Sequence, residues 1–230
     1  MIDFDSEKHC FECKVPCFAK NIDQNGLLLL NQNKSVIHYS AGQVISKQGS
    51  FAPNLIYLVD GLAKIIIEGK NSRNTLISIV KPGNYLAIPI FESQKKHVYT
   101  SIALTDCCIC EINEPGIRSL INGNLELSDY LLGKFYNFQV FLMNRLHLIN
   151  TRNNHGKLAA GLLYLQSFST PETPVFEYIT RKDLAELSAI SIESVNKIIQ
   201  ELKNDRIIDI TPKGIVLTHI NLIEKLSNIG

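Results

Sequence analysis

The feature that most constrains this chain is a change of hydrophobic period at Glu114. Before it, apolar residues come in short runs at 36–39, 44–46, 55–59, 62–67, 75–80, 100–104 and 107–112. Glycine and polar turn residues separate them, as in Ser40-Ala41-Gly42-Gln43, Asp60-Gly61 and Lys81-Pro82-Gly83-Asn84. Many short strands with glycine turns predict an antiparallel sandwich or small barrel. After Glu114 the period is helical, so the chain reads as α+β, with its strands first and its helices after.

The helical part opens with a short helix over 115–122 and a long one over 125–150 that contains no proline. Within the long helix Leu131, Phe135, Phe138, Leu142, Leu146 and Ile149 recur at intervals of four, three, four, four and three. Such spacing is the seam of a two-stranded coiled coil, whose simplest partner is the same helix of a second subunit. A helix lying along its own domain is the alternative. Arg152-Asn153-Asn154 reads as a polar hinge, 156–168 as a further helix and 169–174 as a loop. A helix-like segment at 21–33 precedes all the strands.

Residues 180–206 predict two short helices around a tight turn. Thr180 and Asp183 have the spacing of a capping box, and Leu184, Ala185 and Leu187 share one face. Ser188, Ala189 and Ile190 leave room only for a sharp corner. Ser191 can cap a second helix with Val195, Ile198, Ile199 and Leu202 inward. Ile192, Glu193, Ser194, Asn196, Lys197 and Gln200 are left facing outward. A helix–turn–helix of this kind presents its second helix to the DNA major groove. Strand patterns at 206–210 and 215–218 around Thr211-Pro212-Lys213-Gly214, with a third at 176–179, add a wing with Lys213 at its tip, where a phosphate would lie.

Charge does not single out nucleic acid. The 230 residues carry a net charge of +1, and from Arg152 onward nine basic residues are matched by nine acidic ones. Any basic footprint must come from placement. The sequence has no apolar run long enough to span a membrane and no signal-peptide pattern at its start, which gives a cytoplasmic expectation. It has no GxxxxGK[ST], no HExxH and no dinucleotide fingerprint, and the expectation is that it is not an enzyme. All six cysteines precede residue 111, at 10, 13, 17, 107, 108 and 110. In a cytoplasmic chain, clustering points to metal or redox chemistry before disulfides.

A strand-rich domain, a long helix and a winged helix–turn–helix, in that order, resemble the CRP/FNR family of bacterial transcription regulators. The stretches AGQVISKQG, IYLVDGLAKI, VKPGNYLAI and ITRKDLAELSAISIESVNKIIQELK carry the resemblance. It implies an N-terminal antiparallel β-barrel, a jelly roll like a cyclic-nucleotide-binding domain. The expected organisation is a Cys-containing segment and helix at 1–34, the barrel sensor at 35–124, a dimerisation helix at 125–150 and the winged domain at 151–230. It further implies a homodimer reading a pseudo-palindromic site in double-stranded DNA and working with RNA polymerase. By position, Ile192, Glu193 and Lys197 fall where the family reads base edges, while Thr180, Arg181, Ser191 and Ser194 suit phosphates. Cyclic-AMP-responsive members have arginine where Ile192 stands, so a different target sequence is expected. Ala189 replaces a frequent turn glycine, which should only tighten the backbone.

The effector pocket by resemblance would involve Gly83, Tyr85, His97, Val98 and Tyr99. Cyclic AMP is not expected as its occupant. The family's ribose-binding glutamate is absent from 83–89, and His97 and Val98 replace its phosphate-binding Arg-Ser/Thr pair. A lost charged hydrogen bond costs about 1.5–3 kcal/mol. The FNR branch holds a [4Fe–4S] cluster on four cysteines, and Cys10, Cys13, Cys17 and Cys110 resemble that set, with a tighter spacing before Cys17. Zinc on His9, Cys10, Cys13 and Cys17 is a second option. Unligated thiols, with Cys108 and Cys110 alternating as small core residues, are the third. A ligand-binding or docking module without sequence-specific DNA binding is the alternative function.

Overall fold

The computed structural model describes residues 22–70, 73–88 and 95–229. They form two compact units, one reaching to Glu68 and including Ile79–Gln139, the other combining Gly69–Ser78 with the chain from Val140 onward.

The first unit holds two four-stranded sheets, except for Thr75–Ser78 of one strand, which fall in the second unit. β1 (Lys34–Tyr39), β3 (Asn54–Asp60), β6 (Asn84–Ala87) and β8 (Cys107–Asn113) lie in the order β1-β8-β3-β6. β2 (Val44–Ser46), β4 (Ala63–Ile67), β5 (Thr75–Val80) and β7 (Thr100–Ala103) lie in the order β2-β7-β4-β5. The strand positions follow the sequence pattern closely, β5 residue for residue, but β6 was not anticipated because it directly follows the Pro82-Gly83 turn. The expected jelly roll is present, with its two sheets not closed into a barrel. Chain order largely alternates between the sheets, and hydrogen bonding stays within each. Alternating burial along a strand looks the same in a barrel and in a sandwich, so only the ladders separate them.

Helices α1 (Gln24–Gln32), α2 (Glu114–Asn122) and the first turns of α3 (Leu125–Thr151) pack on this unit. Asp23 and Asn113 cap the first two by accepting from Gly26 and Gly116 backbone N–H groups. Leu27, Leu30, Ile117, Leu120 and Leu127 form one cluster with Leu55, Tyr57 and Ile112. Leu131 joins that cluster and is 1% exposed, so it cannot belong to an intersubunit seam. Beyond it the helix changes character. Leu132, Phe135, Tyr136, Leu142, Met143 and Leu146 are all exposed, and Leu146 is 64% so. Phe138 and Ile149 are half-buried.

The second unit contains α4 (Asn154–Gln166), α5 (Arg181–Ser188), α6 (Ile192–Asn204) and α7 (Ile220–Ser227). A hairpin of β9 (Ile208–Thr211) and β10 (Gly214–Leu217) follows α6. The expected strand at 176–179 is instead a 3-10 turn over Val175–Glu177. Pro174 starts it, Glu177 N–H donates to the Pro174 carbonyl, and Val175 and Phe176 are both buried. A strand would have put alternate residues into solvent. The wing therefore has two strands, seated on this turn through Gly214.

Candidate nucleic-acid interface

Thr180 and Asp183 make the complete capping box at the start of α5. Asp183 N–H donates to Thr180 Oγ1 at 3.0 Å, and Thr180 N–H donates to Asp183 Oδ2 at 3.0 Å. The helix ends at Ala189, whose backbone is left-handed at φ +52°. The expectation of mere tightening is corrected here: a side chain in this region costs about 1–2 kcal/mol, which glycine would avoid. Ser191 then caps α6 by accepting from Ser194 N–H at 3.1 Å.

Val195, Ile198, Ile199 and Leu202 are buried, as the helical period required, and this rotation turns the opposite face outward. Ile192 is 41% exposed, and Glu193, Asn196, Lys197 and Gln200 are exposed with it. Lys197 stands 3.9 Å from Glu201, a loose surface pair that leaves the ammonium available. Lys213 is exposed in the two-residue turn at the wing tip. These residues form the outward groups of the module, contributed by one helix face and one hairpin.

Three of the expected contacts are already engaged within the chain. The Thr180 hydroxyl is bound to Asp183, and the Ser191 hydroxyl serves the α6 cap. Glu193 turns back on its own helix start. Its own backbone N–H, and then the Ser191 hydroxyl, hold its carboxyl below the usual range. Arg181 is half-buried, with Nη1 sunk and lacking a hydrogen-bond partner among the described residues, and burial lowers its pKa. Backbone amides at the two helix starts are thus better disposed toward phosphate than the capping hydroxyls.

Residues 36–124 match the cyclic nucleotide-binding domain, and residues 156–226 match the Crp-like helix-turn-helix domain. The chain belongs to the CRP/FNR family. Among curated CRP/FNR relatives, the cAMP-activated global transcriptional regulator CRP of Salmonella typhimurium is 22% identical over 184 residues, 78% of this chain and 87% of that protein. Among solved structures, FixK2 from Bradyrhizobium japonicum superposes with a TM-score of 0.75 at 14% identity, covering 86% of this chain and 98% of that one. A CRP/FNR-family transcriptional regulator from Thermus thermophilus gives 0.68 at 21%, covering 84% and 97%. The family consists of transcription regulators, and this member carries its DNA-binding helix–turn–helix.

In the first unit of this CRP/FNR protein, Gly83 directly precedes β6 and Tyr85 lies within it, where the Tyr85 ring meets Tyr57 edge-on at 5.2 Å. His97, Val98 and Tyr99 lead into β7. Val98 is 62% exposed and His97 is buried, and burial pushes the Tyr99 hydroxyl up to about 12. Burial also depresses the His97 imidazole below its usual value. The unfolded chain then takes up the proton first, near pH 6.5. The contribution of neutral His97 is therefore complete above that pH and is lost as pH falls through the lower folded value. His97→Gln should flatten the decline in melting temperature as pH falls below about 6.5. An unaltered decline would count against this role.

Cys10, Cys13 and Cys17, with His9, lie outside the described residues. Cys110 is half-buried against the core of the first sheet. Cys107 donates to the Leu62 carbonyl at 3.2 Å, and burial pushes its thiol up to about 11, far from a reactive thiolate. Among the described residues no three His, Cys, Asp or Glu side chains are grouped to hold a metal. Sequence reading missed a different feature, a cavity in the second unit lined by Arg145 and Lys157. The available signal was Arg145 itself, the one charged residue between Lys134 and Arg152.

Proposed function

We propose that this protein is a dimeric transcription regulator that reads a specific duplex site with the exposed face of α6. The observation that carries the reading is that face: a capped, well-anchored helix with Ile192, Glu193, Asn196 and Lys197 outward. Lys197 donates to guanine O6 or N7, Ile192 contacts a thymine methyl, and Glu193 accepts from cytosine once it leaves its helix start. Lys213 meets the backbone from the wing. Two such helices on paired chains read half-sites about one helical turn apart, and RNA polymerase is the downstream partner. The exposed apolar stripe of α3 supports pairing with a second copy, with Leu132 and Leu146 in the seam and Leu131 outside it.

The test starts from a duplex selected from a random pool. Lys197→Ala and Glu193→Ala should each weaken binding to it by about 1–3 kcal/mol. A scrambled duplex should lose little with Glu193→Ala and modestly with Lys197→Ala. Equal affinity of the variants and the parent for the selected duplex would overturn the assignment.

The effector is other than cyclic AMP, since residues 83–88 carry no acid and neutral His97 stands where a phosphate-binding arginine would be needed. The four cysteines 10, 13, 17 and 110 are the candidate ligands of an oxygen-labile [4Fe–4S] cluster. An anaerobic preparation should then be brown, with about four irons per chain. Colourless, iron-free protein that binds DNA would remove the cluster.

A further inference from the structure

The second unit contains a half-open cavity of about 190 Å³ that neither the recognition helix nor the sheets of the first unit line. The C-terminal half of α3, α4 and the end of α5 line it. Its walls are apolar: Phe141, Leu148 and Ile149 from α3, Tyr164 from α4 and Leu187 from α5. The aromatic side is braced, because Tyr164 packs on Phe141 at 5.6 Å and edge-on against Phe168 at 5.0 Å. A rigid wall of this kind is formed before any ligand arrives.

The charged residues among those lining the cavity are all basic. Arg145 and Lys157 line it, and no carboxylate does. Arg145 donates from Nη1 to the Ile77 carbonyl, and from Nη2 to the carbonyls of Leu76 and Leu187, each at 2.5 Å. All three acceptors are neutral, and neither Arg145 nor Lys157 has an ion-pair partner among the described residues. A guanidinium carries five N–H groups, so two are uncommitted. Burial holds Arg145 below the usual arginine range, yet it remains cationic. A desolvated cation without a counter-charge is costly, and an entering anion recovers that cost.

We propose that this cavity binds a compact organic anion, a single ring or short acyl chain bearing one carboxylate. The carboxylate meets Arg145 and Lys157, and the apolar body lies against Tyr164 and Phe141. The size is consistent, since an apolar cavity of about 150 Å³ accommodates benzene. Because Arg145 also holds the Leu187 carbonyl at the end of α5, the occupant shares a residue with the helix–turn–helix.

Titration calorimetry of the full chain with benzoate and hexanoate, against benzamide as the uncharged control, tests the site. Saturable binding of at least one carboxylate is expected, and benzamide should bind at least about tenfold more weakly. Lys157→Met removes one cation from a half-buried position on α4 and should weaken binding by about tenfold. Ala160→Leu fills the cavity and should abolish binding. If Ala160→Leu fails to melt cooperatively, Lys157→Met carries the test. The proposal is overturned by no saturable binding of either carboxylate, by benzamide binding as well as benzoate, or by undiminished affinity in a folded variant.

Discussion

Gly214→Ala is expected to destabilise the second unit by about 3 kcal/mol or more. Gly214 opens β10 at φ +98°, a conformation that side chains rarely adopt. Its location compounds the strain. An added Cβ would stand 2.3 Å from the Phe176 carbonyl oxygen and 2.6 Å from its carbon, both backbone atoms. Phe176 is buried in its 3-10 turn and cannot withdraw without breaking that turn's hydrogen bonds. Relief therefore requires the wing to lift away, exposing Ile215 and Ile208. Thermal melting should show a lower transition, and affinity for the selected duplex should fall as Lys213 loses its place. A variant that melts like the parent would show that the wing accommodates the methyl group.

Leu131→Ala and Leu146→Ala should part company, although both residues fit the same coiled-coil spacing. Leu131 lies in the first unit's core with Leu127 and Ile117, so truncation leaves a cavity and costs about 2–5 kcal/mol. Leu146 is 64% exposed, so its truncation should cost the isolated chain little and weaken self-association instead. Denaturant unfolding and sedimentation velocity on both variants separate the two effects. Equal destabilisation with no change in association would remove Leu146 from the seam.

Much of the fold was legible because its signals are local. The Thr180–Asp183 capping box, the Ser191 cap and the buried row Val195, Ile198, Ile199 and Leu202 follow from neighbours three or four residues apart. The same locality makes the outward face of α6 readable in the sequence. It failed at the side chains that fold back. The Thr180 hydroxyl and the Glu193 carboxylate look available in the sequence, yet both are engaged at helix starts.

The sequence by itself determined the α+β order, the strand and helix positions and the helix–turn–helix, because period and capping are short-range properties of the chain. Tertiary structure alone decided four other matters. It split the strands into two sheets, turned Leu131 into the core and set Ala189 at positive φ. It also gathered Arg145, Lys157 and Tyr164 around one cavity. Ladder pairing, helix burial and a shared cavity join residues that lie far apart in sequence. Their energies depend on which surfaces meet, and no local pattern encodes that choice.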